Sequence, residues 1–127
     1  MNEINESMKR ILSPLEEVEF SDQKATSKEI SLIETGKISV WGVLPGQEVE
    51  AHKHPNGQDT WVILQGNLTY YLQMGNGGKK TQKVSAGQVC IAPPDTIHGC
   101  LNESEEKAAF LSITSQKNVG FEKLQDR

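Results

Sequence analysis

Hydrophobic residues along the chain alternate with polar ones in short runs, and the period is two rather than 3.6. Ile30 and Leu32 stand between polar neighbours, Gly36 turns the chain, and Ile38, Val40 and Val43-Leu44 continue the extended pattern until Pro45-Gly46. Residues 46–54 read as another strand, closed by Pro55-Asn56-Gly57, a strong turn signal. Trp61-Val62-Ile63-Leu64 is a short continuous apolar run, which predicts a strand covered on both faces. Further extended segments follow at 68–74, 81–84, 89–92, 97–101 and 108–114, separated by Gly-, Pro- and Asn-containing turns. About eight or nine short strands with turns every several residues, and no long helix among them, predict an all-β sandwich or barrel.

Ahead of this pattern, residues 1–27 are polar and weakly patterned and are read as an N-terminal arm. Ser13-Pro14-Leu15-Glu16 is a candidate helix start, with Ser13 as cap and Glu16 closing a capping box. An extended path over 18–20 is the alternative. The barrel domain is expected over 28–115. Residues 116–127 form a polar tail in which Phe121 and Leu124 are candidates to dock back on the body.

Composition narrows the class. A chain of 127 residues with 35% hydrophobic content suits one domain with a modest core. The formal net charge of −4 argues against a nucleic-acid partner, which calls for a basic patch. No apolar run reaches the ~20 residues of a membrane span, and the N-terminus lacks the apolar stretch of a secretory signal. The expectation is a cytoplasmic protein with no membrane partner. Its two cysteines, Cys90 and Cys100, flank Pro93-Pro94-Asp95 and are expected to be buried thiols rather than a disulfide.

The histidines change the picture. There are three, and all lie in two turn-flanked segments, which packing alone explains poorly. His52 and His54 are two apart in an extended run, so both rings project from one face, with Lys53 on the other. Two imidazoles on one face can hold one metal ion. After the turn, Gln58 and Asp59 return an amide and a carboxylate beside them, and His98 sits in a similar strand–turn–strand stretch.

The two histidine segments together resemble the motifs of the cupin superfamily. The first runs Gly46, five residues, His52-Lys53-His54, four residues, Asp59, six residues, Gly66, with Asp59 where the family usually has Glu. The second runs Gly87, five residues, Pro93-Pro94-Asp95, two residues, His98, three residues, Asn102, with Asp95 in place of the usual Gly. The likeness is greatest to small single-domain bacterial cupins. It implies a jelly-roll β-barrel of two antiparallel sheets and a metal inside, held by His52, His54 and His98 with Asp59 as the carboxylate. Iron, manganese, nickel, cobalt, copper or zinc is the implied cofactor, a small molecule the implied substrate or ligand, and a homodimer the implied assembly.

Three neutral imidazoles and one carboxylate suit a divalent transition metal. Asp59 is one methylene shorter than Glu, and Gln58 is its rival as fourth ligand, because a regular strand cannot turn both toward the metal. Asp59 is favoured, since an anion offsets metal charge better than an amide. A plain three-histidine site is the remaining alternative. Glu50 shares strand parity with His52 and is a candidate acid or base, though a solvated edge carboxylate is the plainer reading. Of Tyr70 and Tyr71 one must face inward; Tyr70 is a candidate to contact substrate, against the commoner role of bonding a backbone carbonyl. Trp61 reads as pocket wall or core, Cys100 as a core thiol, and Asn102 as a turn tie. Gly46, Gly66 and Gly87 read as turn formers. Two functions fit: a small metalloenzyme of dioxygenase, isomerase or lyase type, or a non-catalytic sugar- or small-molecule-binding module.

Overall fold

The structure, a computed structural model, describes residues 11–73 and 76–116. One short helix, α1 (Pro14–Glu17), precedes nine strands: β1 (Thr26–Ile33), β2 (Gly36–Val43), β3 (Glu48–His52), β4 (Gly57–Gln65), β5 (Asn67–Gln73), β6 (Lys79–Ser85), β7 (Val89–Ala92), β8 (His98–Leu101) and β9 (Ala108–Gln116). They form two sheets, ordered β1-β2-β9-β4-β7 and β3-β8-β5-β6. Every pairing is antiparallel. From β2 onward the chain passes repeatedly from one sheet to the other, so residues distant in sequence meet across the interior. No helix among the described residues is long and apolar enough to cross a membrane.

The core lies between the sheets. Trp61, Ile63, Phe110 and Val43 come from one sheet, and Val49, Leu68, Tyr70, Val84 and Cys100 from the other. Trp61 and Phe110 stack with centroids 4.1 Å apart, and Tyr70 meets Trp61 edge-on at 5.3 Å. Strand alternation accounts for this: Asp59, Trp61 and Ile63 of β4 are buried, whereas Val62 and Leu64 are only half-buried. The apolar run 61–64 is therefore not covered equally on both faces as its composition predicted. Cys90 and Cys100 are both buried and free. Burial pushes their thiols up, to about 11 for Cys90 and about 12 for Cys100.

The arm belongs to the body more than its composition suggested. α1 forms where expected, but the Ser13 side chain makes no capping hydrogen bond; the Glu16 N–H donates to the Ser13 carbonyl instead. Val18 then leaves the helix in extended backbone. The Glu19 backbone and the Phe20 ring lie against Gly42 so closely that a Cβ there would overlap the Glu19 carbonyl. Lys28 Nζ bonds Glu17 at 3.0 Å, and Gln47 Nε2 donates to the Ser21 carbonyl at 2.6 Å. β1 begins at Thr26, and Ala25 already belongs to the core, so the ordered body starts before residue 28. Phe121 and Leu124 lie outside the described residues.

Gly46, Gly66 and Gly87 all have positive φ, as their turns require. Asp95 is the one described non-glycine residue there, at φ +62°, a region that Asp tolerates better than most residues. Its N–H donates to the His54 carbonyl at 2.9 Å and its carboxylate meets Lys53 Nζ at 3.0 Å. The 93–98 loop is thereby fastened to the turn that carries His54. Asn102 is fully buried; its Nδ2 donates to the Val43 and Glu106 carbonyls, both at 2.9 Å, and its Oδ1 accepts from the Ser104 backbone N–H and hydroxyl.

Two outcomes follow. Asn102→Ala leaves several buried polar groups unpaired and should cost roughly 2–4 kcal/mol, lowering the thermal midpoint by about 10 °C. The raised thiol pKa values mean that the unfolded chain loses its thiol protons first as pH rises. The stability they confer is complete below the unfolded value of ~8.5 and is lost as pH climbs toward 11–12. Neither cysteine should react with a thiol reagent at pH 8 until the protein is unfolded; rapid labelling of the native protein would contradict the burial.

Candidate metal centre

Three loops and strands deliver the candidate ligands to one place. His52 ends β3, His54 sits in the turn after it, Asp59 opens the inward row of β4, and His98 begins β8. The two histidines of the first segment do reach the same site, although His54 lies beyond the end of β3. β3 slips register against β8 between Val49, opposite Cys100, and His52, opposite His98. The slip places Val49 in the core and His52 at the site although they are three residues apart. Glu50, expected to share parity with His52, is exposed and borders the cavity described below.

Asp59 is the centre of the cluster. Its Oδ2 lies 2.8 Å from His98 Nε2, 3.3 Å from His54 Nε2 and 3.7 Å from His52 Nε2. The four donor atoms all lie within 4.8 Å of one another. Donors that share a first-row metal at ~2.1 Å stand roughly 3.0–3.4 Å apart; the Asp59–His98 and Asp59–His54 spacings lie near that range, and the wider pairs would close in around an ion. Asp59 thus lies within the cluster, whereas the Gln58 amide donates to Thr60 Oγ1 at 3.1 Å.

The imidazoles are oriented from behind. His52 Nδ1 lies 2.7 Å from the Glu50 carbonyl and His98 Nδ1 lies 2.9 Å from the Thr96 carbonyl. A ring that donates its Nδ1–H to a carbonyl keeps Nε2 for a metal, the arrangement that ligating histidines commonly use. Burial lowers the His54 pKa against the pull of Asp59, and the neighbouring His52 and His98 rings lower it further, which favours the neutral, ligating form. The His52 pKa is raised, chiefly by the Asp59 carboxylate facing it, with burial opposing.

Burial by itself pushes the Asp59 carboxyl upward. The neighbouring His52 and His98 rings and the Ser112 hydroxyl more than offset this and hold it well below the usual carboxylate range. Ser112 is the residue that the sequence reading missed. Its hydroxyl, 5% exposed, donates to Asp59 Oδ1 at 2.7 Å, leaving Oδ2 for the three imidazoles. The signal was a serine at an inward position of the otherwise apolar strand 108–114. The Trp61 Nε1–H is buried with no hydrogen-bond partner among the described residues, a further polar group directed at this region.

A cavity of about 570 Å³ opens beside the cluster, bordered by His52, His54, Asp59 and Ser112 and by Trp41 and Glu50. His98, 1% exposed, forms the closed side. Tyr70, a candidate substrate contact, does not border this cavity. It lies against Trp61 and borders a smaller one of about 210 Å³ with Val84, Cys90 and Ile91. Burial raises its pKa, so its phenol stays neutral and serves as core. Tyr71, on the opposite side of β5, packs over Gly99, and its hydroxyl donates to Glu48 at 3.3 Å.

The cupin domain model matches residues 39–114, and the chain belongs to that family. Among solved structures, an uncharacterised conserved protein with a double-stranded β-helix domain from Klebsiella pneumoniae is 32% identical, with 88% of this chain and 94% of that one aligned at a TM-score of 0.77. KdgF from Halomonas sp. is 17% identical over 78% of this chain and 86% of its own, at 0.65. An oxalate oxidase in complex with glycolate is 15% identical over 87% of this chain and 61% of its own, at 0.71. No curated protein matches the chain.

Ser112→Ala should leave the fold intact and free Asp59 Oδ1. Divalent-metal affinity should fall about 10- to 100-fold in a competition titration, the usual cost of losing a bond that orients a ligand. An unchanged affinity would show that Asp59 is held without it.

Proposed function

We propose that this cupin binds one divalent transition metal through His52, His54, His98 and Asp59 and acts as a small metalloenzyme on a small organic molecule. The observation that carries the reading is the convergence of three Nε2 atoms on one buried carboxylate oxygen at the edge of a 570 Å³ cavity. A purely structural metal site is closed on all sides. Here His52 and His54 are half-buried and border the cavity, so a ligand in it comes within reach of the centre. Iron, manganese, nickel, cobalt, copper or zinc would supply Lewis acidity for isomerase or lyase chemistry, or redox chemistry of the dioxygenase type.

The chain's own groups supply the rest. Asp59 offsets the charge, the carbonyls of Glu50 and Thr96 fix the ring orientations, and Trp41 walls one side of the cavity. The Glu50 carboxylate, exposed at the cavity border, is the candidate for moving a proton to or from a bound molecule. A second reading, a non-catalytic small-molecule-binding module, is favoured by one feature. Asp59 has partners for both oxygens within the protein itself, so the pocket keeps its shape through side chains alone.

Metal content by mass spectrometry on untagged protein separates the two. About one equivalent of a transition metal is expected in the wild type and none in the His52→Ala/His54→Ala variant. A wild-type protein that holds no metal even after reconstitution would overturn the metalloenzyme and leave the binding module.

A further inference from the structure

The inner face of the five-stranded sheet carries more than the carboxylate. In register, Lys37 of β2 pairs with Thr114 of β9, which pairs with Asp59 of β4. The next row in is Ser39, Ser112 and Trp61. Lys37, Ser39, Ser112, Thr114 and Asp59 all border the 570 Å³ cavity. The row thus leads from the metal-binding cluster, across hydroxyl groups, to a lysine two strands away, roughly 10 Å from Asp59 by strand spacing. Lys24 borders the same cavity. Among the described residues neither lysine has an ion-pair partner, although Lys28 and Lys53 do.

The opposite sheet gives the other half of the argument. Glu48 and Glu50 of β3 border the cavity, and Glu48 is already engaged by the Tyr71 hydroxyl. A negative group is repelled from that wall and drawn to the lysine wall. A neutral or apolar ligand would leave two cavity lysines unmatched and meet few apolar side chains besides Trp41.

Resting on the metal site proposed above, we infer that the cavity takes an oxygen-rich organic dianion. One end, a hydroxy-carboxylate, reaches the His52–His54–His98–Asp59 cluster. The middle lies over the hydroxyls of Ser39 and Thr114, and the far carboxylate or phosphate is paired by Lys37 with Lys24. Six-carbon hydroxy diacids have about the required span, with the lysine side chain covering the remainder.

The test is calorimetric titration of manganese-loaded wild type and Lys37→Gln with glucarate, gluconate and sorbitol, with metal content measured on the same samples. Glucarate should bind the wild type saturably and at least tenfold more weakly to Lys37→Gln, whose metal content and melting temperature should match the wild type. Gluconate, lacking the second acid, should bind both proteins alike, and sorbitol should bind neither. Glucarate binding that is absent, or equal in wild type, Lys37→Gln and Lys24→Gln/Lys37→Gln, overturns the ligand assignment while leaving the metal site standing. So does sorbitol binding as tightly as glucarate. A wild-type sample that holds no manganese or other divalent ion offered overturns the metal site itself, and this inference with it.

Discussion

A single buried carboxylate constrains the rest of this molecule. Asp59 is 2% exposed, and an isolated ionised carboxylate in such a place would be driven to pick up a proton. It stays ionised because donors surround it: Ser112 on one oxygen and the imidazoles on the other. Those donors come from β9, β8 and the β3–β4 turn, so the charge can be satisfied only when both sheets are in place.

Two backbone irregularities make that convergence possible. The register slip in β3 lets Val49 fill the core while His52 turns to the site three residues later. The left-handed turn at Asp95 brings its N–H to the His54 carbonyl and fixes the two histidine-bearing loops to each other. Asn102 ties the chain just beyond β8 to Val43 and Glu106. Behind the site, stacked Trp61 and Phe110 give it a rigid wall, and His98 sits edge-on to Trp61 with centroids 5.4 Å apart. Aromatic packing of this kind fixes the orientation of the His98 ring.

The two sheets contribute different chemistry to the cavity between them. The five-stranded sheet supplies Asp59, hydroxyls and Lys37; the four-stranded sheet supplies Glu48 and Glu50. A ligand there experiences a field running from one wall to the other, in addition to whatever the histidine cluster offers. The division arises because the inward row of β2, β9 and β4 is polar at the Lys37–Thr114–Asp59 end and apolar at the Trp41–Phe110–Ile63 end.

The sequence by itself determined the strand count, the turns at Gly46, Gly66 and Gly87, and the candidate set His52, His54, Asp59 and His98. Those features depend on local period, on glycine's access to positive φ and on fixed spacing, all of which are written in neighbouring residues. Only the tertiary structure shows Asp59 among the three imidazoles and the Gln58 amide on Thr60, since that rests on which face of β4 turns inward. Only it revealed Ser112, because a serine in an apolar strand acquires a role from the group opposite it. Strand alternation left two readings of Glu50 open, and its exposed position agrees with the edge carboxylate. It also left Tyr70 and Tyr71 unresolved, and cross-sheet packing against Trp61 and Gly99 settled them. Interactions within a few residues were legible along the chain; those between strands far apart required the fold that brings them together.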